Sequence, residues 1–313
     1  MRRFAILTTA IVMALSAAAC GSSSKSSSGS SATTVAGTPT TVSGPTTTAA
    51  PIDCNGTSAY VKDIGTASDF KPITADTLTV VTSLPGPGFW EGSDTDPTKI
   101  TSGYEYDIAK QMEQAFGLHK LVVRNENFDS ITAGTVTKYD LSLSQISITC
   151  DRAKVVKFSI PYFYSNQGVL VNKNFSQPLT SVADAQKLQW GVQTSTTAID
   201  LLDKIKPTKQ PKVFQQLPDA YAALQAGQVD AVLIDTAINL GEAARSNGRF
   251  KVVAQFSQPG GPDQYGAIIP KDSTNTPAIN AVLKNMQDSG QLSSLATKDL
   301  TADPGTIPVI NVS

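Results

Sequence analysis

The sequence is poor in charge, histidine and cysteine. Of its 313 residues only 16% are charged, the formal net charge is −1, and there are three cysteines and one histidine. This balance gives no indication of nucleic-acid binding, which requires a basic surface. Cysteines this few, with His119 alone, offer no metal-site spacing, so neither a metal nor another cofactor is expected. No apolar run follows the N-terminal one, and any membrane-embedded partner is therefore expected to be a separate chain.

The N-terminus predicts export and anchoring. Arg2 and Arg3 precede an apolar run over residues 4–19 that ends in small residues, which predicts a signal peptide over 1–19. Cys20 then stands where lipoprotein signals carry the lipidated cysteine, although Ala17 replaces the usual Leu. Two readings stay open: lipidation of Cys20, which anchors the chain to the outer face of the cytoplasmic membrane, or ordinary cleavage after Ala19.

Residues 20–52 are rich in Ser, Thr, Gly, Ala and Pro. Such a segment cannot bury enough apolar surface to offset its ordering entropy, which predicts a disordered tether. As a flexible coil it would span roughly 30 Å.

The two remaining cysteines are Cys54 and Cys150. In an exported, oxidising context a disulfide between them is the simplest interpretation, and two free thiols are the alternative.

Residues 140–165 organise the rest of the chain. A predicted strand over 141–146 leads to the hydroxyl-rich corner 147–149 and then to Arg152. A guanidinium beside hydroxyls and free backbone amides matches the two oxygens of a carboxylate. The alternative is that Arg152 is one of three solvated cations with Lys154 and Lys157.

Strands and helices alternate on either side of this stretch, which predicts two α/β lobes joined by crossovers near residues 169–172 and 263–266. Ligands of such sheets bind outside the carboxyl ends of the strands. The polar groups at those ends are Ser83, residues 145–147, residues 193–197 and Asp235. For Asp235, the N-cap of the following helix is an alternative role that does not exclude binding.

These motifs resemble the extracytoplasmic solute-binding proteins of polar-amino-acid ABC transporters, bacterial solute-binding family 3. The pieces GYEYDIA, NFDSITAG, WGVQTSTTAIDLL, AGQVDAVLIDT and QYGAIIPKD occur in the family's order over about residues 76–298. The resemblance implies a two-lobed, type II periplasmic-binding-protein fold. We expect lobe 1 over 53–167 plus 265–300, lobe 2 over 168–264, and a C-terminal tail over 301–313.

The resemblance implies an amino-acid ligand gripped by both lobes. Arg152 would take the carboxylate, aided by Ser147 and by the backbone amides of Thr196 and Thr197 at a helix start, where free N–H groups favour an anion.

The ammonium group would be held by Asp235, the Gln145 carbonyl and the Ser147 hydroxyl. Phe128 would pack on the aliphatic part of the ligand.

Some positions depart from the family pattern. Ser83 stands where several members carry an acid, and Gly86 stands where they carry an aromatic residue that Phe89 or Trp90 could replace. Trp90 as an ordinary core residue is the alternative. Gln145 replaces a small residue. Together, the polar residues Ser83, Gln145 and Gln193 favour a Gln, Glu, Asn or Asp ligand over a cationic one.

We therefore expect a monomeric receptor that delivers an amino acid to an ABC permease. A second possibility is an enzyme resembling the cyclic-acid dehydratases, but the motif QTSTT offers no acid or base and no GxSxG is present. A third is a ligand-sensing subunit of a membrane receptor, which the sequence does not distinguish from the first.

Overall fold

The computed structural model describes residues 50–300 and 304–312, and the predicted signal peptide and Cys20 lie outside them. Eleven strands occur in these ranges: β1 Thr77–Thr82, β2 Lys120–Asn125, β3 Leu141–Ser142, β4 Lys157–Ser165, β5 Gln167–Asn172, β6 Trp190–Gln193, β7 Lys212–Phe214, β8 Ala231–Asp235, β9 Phe250–Ser257, β10 Asp263–Ile269 and β11 Val309–Asn311. The α-helices of the same ranges are α1 Tyr104–Ala115, α2 Phe128–Thr132, α3 Cys150–Ala153, α4 Val182–Ala185, α5 Thr197–Ile205, α6 Leu217–Gln225, α7 Thr236–Arg245, α8 Thr276–Asp288 and α9 Gln291–Asp299. None of these described helices is both long and apolar enough to cross a membrane.

The first sheet has the order β2-β1-β3-β10-β4, with β1, β2 and β3 parallel and β10 antiparallel to both of its neighbours. All six residues of β1 are buried. Leu78 and Val80 pack into one core cluster and Val81 into another, so both faces of the strand are covered. This explains the run TLTVVT, whose residues other than Leu78 are all β-branched and which is typical of parallel strands covered on both faces.

The second sheet has the order β11-β9-β5-β8-β6-β7 and is also mixed. Alternate residues of β8 face opposite sides: Ala231 and Leu233 contact the cluster that includes α5, whereas Val232 and Ile234 contact the cluster that includes α6 and α7. The predicted α/β fold with two lobes is confirmed by these two sheets and by the structural similarities described below.

The chain passes between the sheets at three places. β4 ends at Ser165 and β5 begins at Gln167, and β9 ends at Ser257 before β10 begins at Asp263. After α9, which packs on α1 and α8 of the first lobe, the chain reaches β11 at the edge of the second sheet. Residues 309–311, expected to lie in a tail, are therefore a strand, and the buried Ile310 joins the core of the second lobe.

Other predicted boundaries also differ from the structure. The strand expected over 141–146 is only two residues long, because the backbone turns at Gln145 with φ of 50°. The aromatic run near 161–164 belongs to a nine-residue strand, β4. Residues 50–52, expected in the tether, contact the first lobe, where the Gln264 side chain donates a hydrogen bond to the Ala50 carbonyl at 3.0 Å.

Cys54 and Cys150 form a disulfide, as predicted. The bond connects the N-terminal segment to the first residue of α3, two residues before Arg152. Ile52 and Tyr60, on either side of Cys54, pack against a core cluster of the first lobe.

Candidate functional site

The two lobes contact each other around the cleft. From the second lobe, the Gln215 side chain donates to Asp129 and the Gln216 side chain donates to Asn127, both at 2.9 Å. Elsewhere Arg245 pairs with Asp94 at 2.7 Å. In this arrangement the lobes meet through several polar contacts, and a space remains between them.

That space is a cavity of about 30 Å³. Nine of the residues predicted to bind a ligand line this cavity together: Ser83, Phe128, Gln145, Ser147, Arg152, Gln193, Thr196, Thr197 and Asp235.

Arg152 lies on α3 and reaches across the cleft. Its guanidinium donates to the Ser147 carbonyl at 2.6 Å and to the Ser195 carbonyl of the second lobe at 2.7 Å. It also stands 5.6 Å from the centre of the Phe128 ring. Burial lowers the pKa of Arg152, and the negative charges of Asp263 and Asp235 oppose that shift. The interpretation of Arg152 as a solvated surface cation is therefore wrong.

The N-terminus of α5 faces the same cavity. Thr196, its N-cap, makes no side-chain capping bond to the helix, and its hydroxyl donates to the Gln193 carbonyl at 2.8 Å. Ser195, just before it, holds a positive φ of 61°, an uncommon backbone state that recurs at binding loops. A helix start without a side-chain cap presents N–H donors and the positive end of the helix dipole, which suits an anion.

Asp235 supplies the opposite charge from the second lobe. It ends β8 and occupies the N-cap position of α7, but its side chain makes no capping bond, so capping is not its role. Its side chain is buried, and within the described residues Oδ1 has no hydrogen-bond partner. Burial raises the pKa of Asp235 well above its usual value, the charge of Asp263 adds to the rise, and the Tyr265 hydroxyl and Arg152 oppose it.

Asp263, which the sequence reasoning missed, lies directly behind this site. At the start of β10 it accepts hydrogen bonds from Gln167 at 2.6 Å and from the Thr197 hydroxyl at 3.1 Å. Burial raises its pKa, while these two bonds and the charge of Arg152 lower it. The only sign of Asp263 in the sequence was that it is the one acidic residue in the predicted crossover at residues 263–266. The buried carboxylate of Asp235 and the partly buried carboxylate of Asp263 therefore lie near one guanidinium.

No group of three or more His, Cys, Asp and Glu side chains in residues 50–300 and 304–312 is arranged to hold a metal ion.

Trp90, predicted to contact a ligand, does not line the cavity. The indole is 2% exposed, and its N–H donates to Glu105 at 2.7 Å and to the Leu143 carbonyl at 3.2 Å. The side chain is held in the core of the first lobe because its one polar atom has buried acceptors there. In this structure Trp90 is therefore an ordinary core residue, which was the alternative interpretation of its role.

A cleft between two α/β lobes, with a guanidinium on one wall and a carboxylate on the other, defines the class of two-lobed solute-binding proteins. The chain belongs to the bacterial extracellular solute-binding proteins, family 3, whose model matches residues 93–301. The resemblance read from the sequence is thereby confirmed.

Individual relatives have different ligands. The chain is 26% identical to the L-cystine-binding protein TcyJ of Escherichia coli (strain K12) over 211 residues, 66% of this chain and 77% of that protein. It is 28% identical to the ABC transporter glutamine-binding protein GlnH of Bacillus subtilis (strain 168) over 210 residues, 64% of this chain and 74% of that protein. A solved ancestral arginine-binding protein bound to glutamine has a TM-score of 0.63 and 28% identity, covering 72% of this chain and 98% of that one.

Proposed function

We propose that this protein is an extracytoplasmic receptor that binds one polar amino acid between its lobes and delivers it to an ABC permease. The observation that carries the proposal is Asp235: a buried carboxylate on the cavity wall whose Oδ1 lacks a partner among the described residues. Such a group is costly unless a positive charge meets it. An α-ammonium group meets that requirement.

Arg152 and the start of α5 provide for the other end of the ligand. The carboxylate would accept hydrogen bonds from the guanidinium and from the amides of Thr196 and Thr197, with Ser147 beside them. Each hydrogen bond to a charged group contributes about 1.5–3 kcal/mol, so a few suffice for micromolar affinity, about −8 kcal/mol.

Closure of the lobes is required for both charges of the ligand to be satisfied. Arg152 comes from the first lobe, whereas Asp235 and Thr197 come from the second. The ligand then stabilises the closed form by its greater affinity for it, and a permease can recognise that form. The names of the relatives, which bind cystine, glutamate, histidine, glutamine or arginine, support an amino-acid ligand. The neutral polar residues Ser83, Gln145 and Gln193 on the cavity wall are our reason for proposing the glutamine, glutamate, asparagine or aspartate type. Lipidation of Cys20 would keep the receptor at the membrane.

The test is a thermal-shift screen of the purified protein with each of the twenty amino acids, because a ligand that binds only the native state raises its melting temperature. We expect at least one polar amino acid to do so, and calorimetry with Arg152→Ala or Asp235→Ala to show no binding in a folded variant. Near-normal affinity in either variant would refute the assignment of the site.

Two further measurements separate the alternatives. Conversion of the bound compound during incubation would favour an enzyme, whereas recovery of the unchanged compound favours a receptor. Uptake of that amino acid by cells lacking the gene should fall if the partner is a permease, and unchanged uptake would favour a sensor.

A further inference from the structure

The inner cavity has a simple charge balance. Among the described residues that line it, the charged side chains are Arg152 and Asp235, one of each sign. The carboxylate and ammonium of an amino acid occupy both of them. The rest of the lining is apolar, or polar but neutral, and includes the side chains of Ser83, Gln145, Ser147 and Gln193.

Besides Asp263, another carboxyl group lies just outside this lining. Glu105, on α1, is fully buried, and four donors converge on its carboxyl group. One oxygen accepts from the backbone N–H of Gln145 at 2.8 Å and from the Tyr162 hydroxyl at 2.5 Å. The other accepts from Trp90 at 2.7 Å and from the side-chain amide of Gln145 at 2.5 Å. Burial raises the pKa of Glu105, and these bonds oppose that rise.

Gln145 separates this carboxyl group from the cavity. Its side chain lines the cavity on one side and donates to Glu105 on the other. The backbone at Gln145 holds a positive φ of 50°, which a non-glycine residue adopts only when its surroundings enforce it. Two hydrogen bonds to Glu105, one from the backbone and one from the side chain, supply that constraint.

We infer that the ligand is an amino acid with an uncharged polar side chain, and that Gln145 determines this selectivity by covering the Glu105 carboxyl group. The inference rests on the proposed function and narrows it, because it excludes Glu and Asp as well as Lys and Arg. A charged side chain would be buried with no partner of opposite sign in the lining. A neutral amide or hydroxyl can exchange hydrogen bonds with the Ser and Gln side chains that are present.

The first experiment needs no variant. Calorimetry of the unaltered protein should show binding of Gln, Asn or another neutral polar amino acid, with Glu, Asp, Lys and Arg at least about 100-fold weaker. Equal affinity for any charged amino acid would overturn the inference and leave the proposed function standing. Failure of every amino acid to bind would overturn the proposed function itself.

The second experiment tests the role of Gln145. Gln145→Gly suits the positive φ and removes the amide that covers Glu105. We expect affinity for Lys or Arg to rise at least about tenfold relative to Gln. Adding Glu105→Gln should abolish that gain. Gln193→Ala is the matched control: it removes another cavity-lining amide, whose N–H contacts the Gln215 carbonyl, and should weaken binding without changing the preference for charge.

A Gln145→Gly protein that folds and keeps the original preference would show that Gln145 does not set the selectivity. If that variant does not fold, Gln145→Asn can replace it, because Asn tolerates positive φ and its shorter side chain covers less of the Glu105 carboxyl group. The same shift toward cations is then expected, and its absence counts against the role of Gln145.

Discussion

The buried carboxylate of Asp235 leads to a prediction that separates stability from binding. We expect Asp235→Asn to make the ligand-free protein more stable at neutral pH while removing its affinity for an amino acid. The variant keeps the shape of the side chain but removes a charge whose Oδ1 has no partner among the described residues. Sites that bind charged ligands commonly sacrifice stability in this way.

The size of the effect follows from the surroundings of the group. An unsatisfied buried polar group costs about 1–3 kcal/mol, and more when it is charged. For a domain of this size about 1 kcal/mol corresponds to about 2–4 °C in melting temperature, so we expect a rise of roughly 2–12 °C. Loss of one partner from a buried charge pair costs about 2–5 kcal/mol of binding, or about 30-fold and upward in affinity.

The stability difference between the unaltered protein and Asp235→Asn should depend on pH, and its direction follows from the pKa of Asp235. Burial and Asp263 raise the folded-state pKa of Asp235 above its unfolded value, and Arg152 and Tyr265 only partly offset this rise. The unaltered protein therefore becomes more stable as the pH falls through that folded-state pKa, and it loses this stability as the pH rises. The advantage of Asp235→Asn should be greatest at neutral and higher pH and should shrink toward acid.

Thermal unfolding of both proteins across this pH range, with and without the ligand, is the assay. A variant that is less stable than the unaltered protein at neutral pH without ligand would refute the reasoning. So would a variant that still gains its full melting-temperature shift from the ligand.

Three other predictions concern residues away from the cavity. Replacing Cys54 and Cys150 by Ser opens a loop with a sequence separation of 96 and should lower the free energy of unfolding by about 2–5 kcal/mol, measured by denaturant unfolding. As a control, the variant should be as stable as the unaltered protein whose disulfide has been reduced. Ending the chain at residue 303 removes β11 and the buried Ile310, which should lower the melting temperature by several degrees; an unchanged value would contradict its place in the core. Gly241→Ala should weaken ligand binding without lowering ligand-free stability, because a Cβ there would lie 2.7 Å from the Pro87 carbonyl oxygen of the other lobe; unchanged affinity in calorimetry would contradict this.

The cavity wall was largely predictable from the sequence because its residues follow buried strands. Asp235 comes at the end of a continuous apolar run, and an acid at that position of an α/β sheet faces the ligand edge. Arg152 was recognisable from the strand, hydroxyl corner and short helix that precede it. The roles given to these residues in binding stay predictions, although the structure brings them together around one cavity.

What could not be predicted depends on contacts between distant parts of the chain. Trp90 is directed away from the cavity because Glu105 accepts its N–H, and Glu105 is near it only through the packing of α1. A signal for Glu105 did exist: it lies three residues before Ile108 and seven before Met112, on the buried face of the helix. The three-residue strand β11 has no periodicity to detect, since its place is fixed by pairing with β9.

The position of β11 also limits how this protein can be divided. Each lobe is assembled from separated pieces of the chain, and the second takes its outermost strand from residues that follow the last helix of the first. A fragment cut at the two inner crossovers, residues 167–257, would leave the edge of β9 unpaired and part of its apolar surface bare. Expression of the isolated second lobe therefore calls for a gene in which residues 304–312 are joined directly after β9, with the first-lobe residues between them deleted.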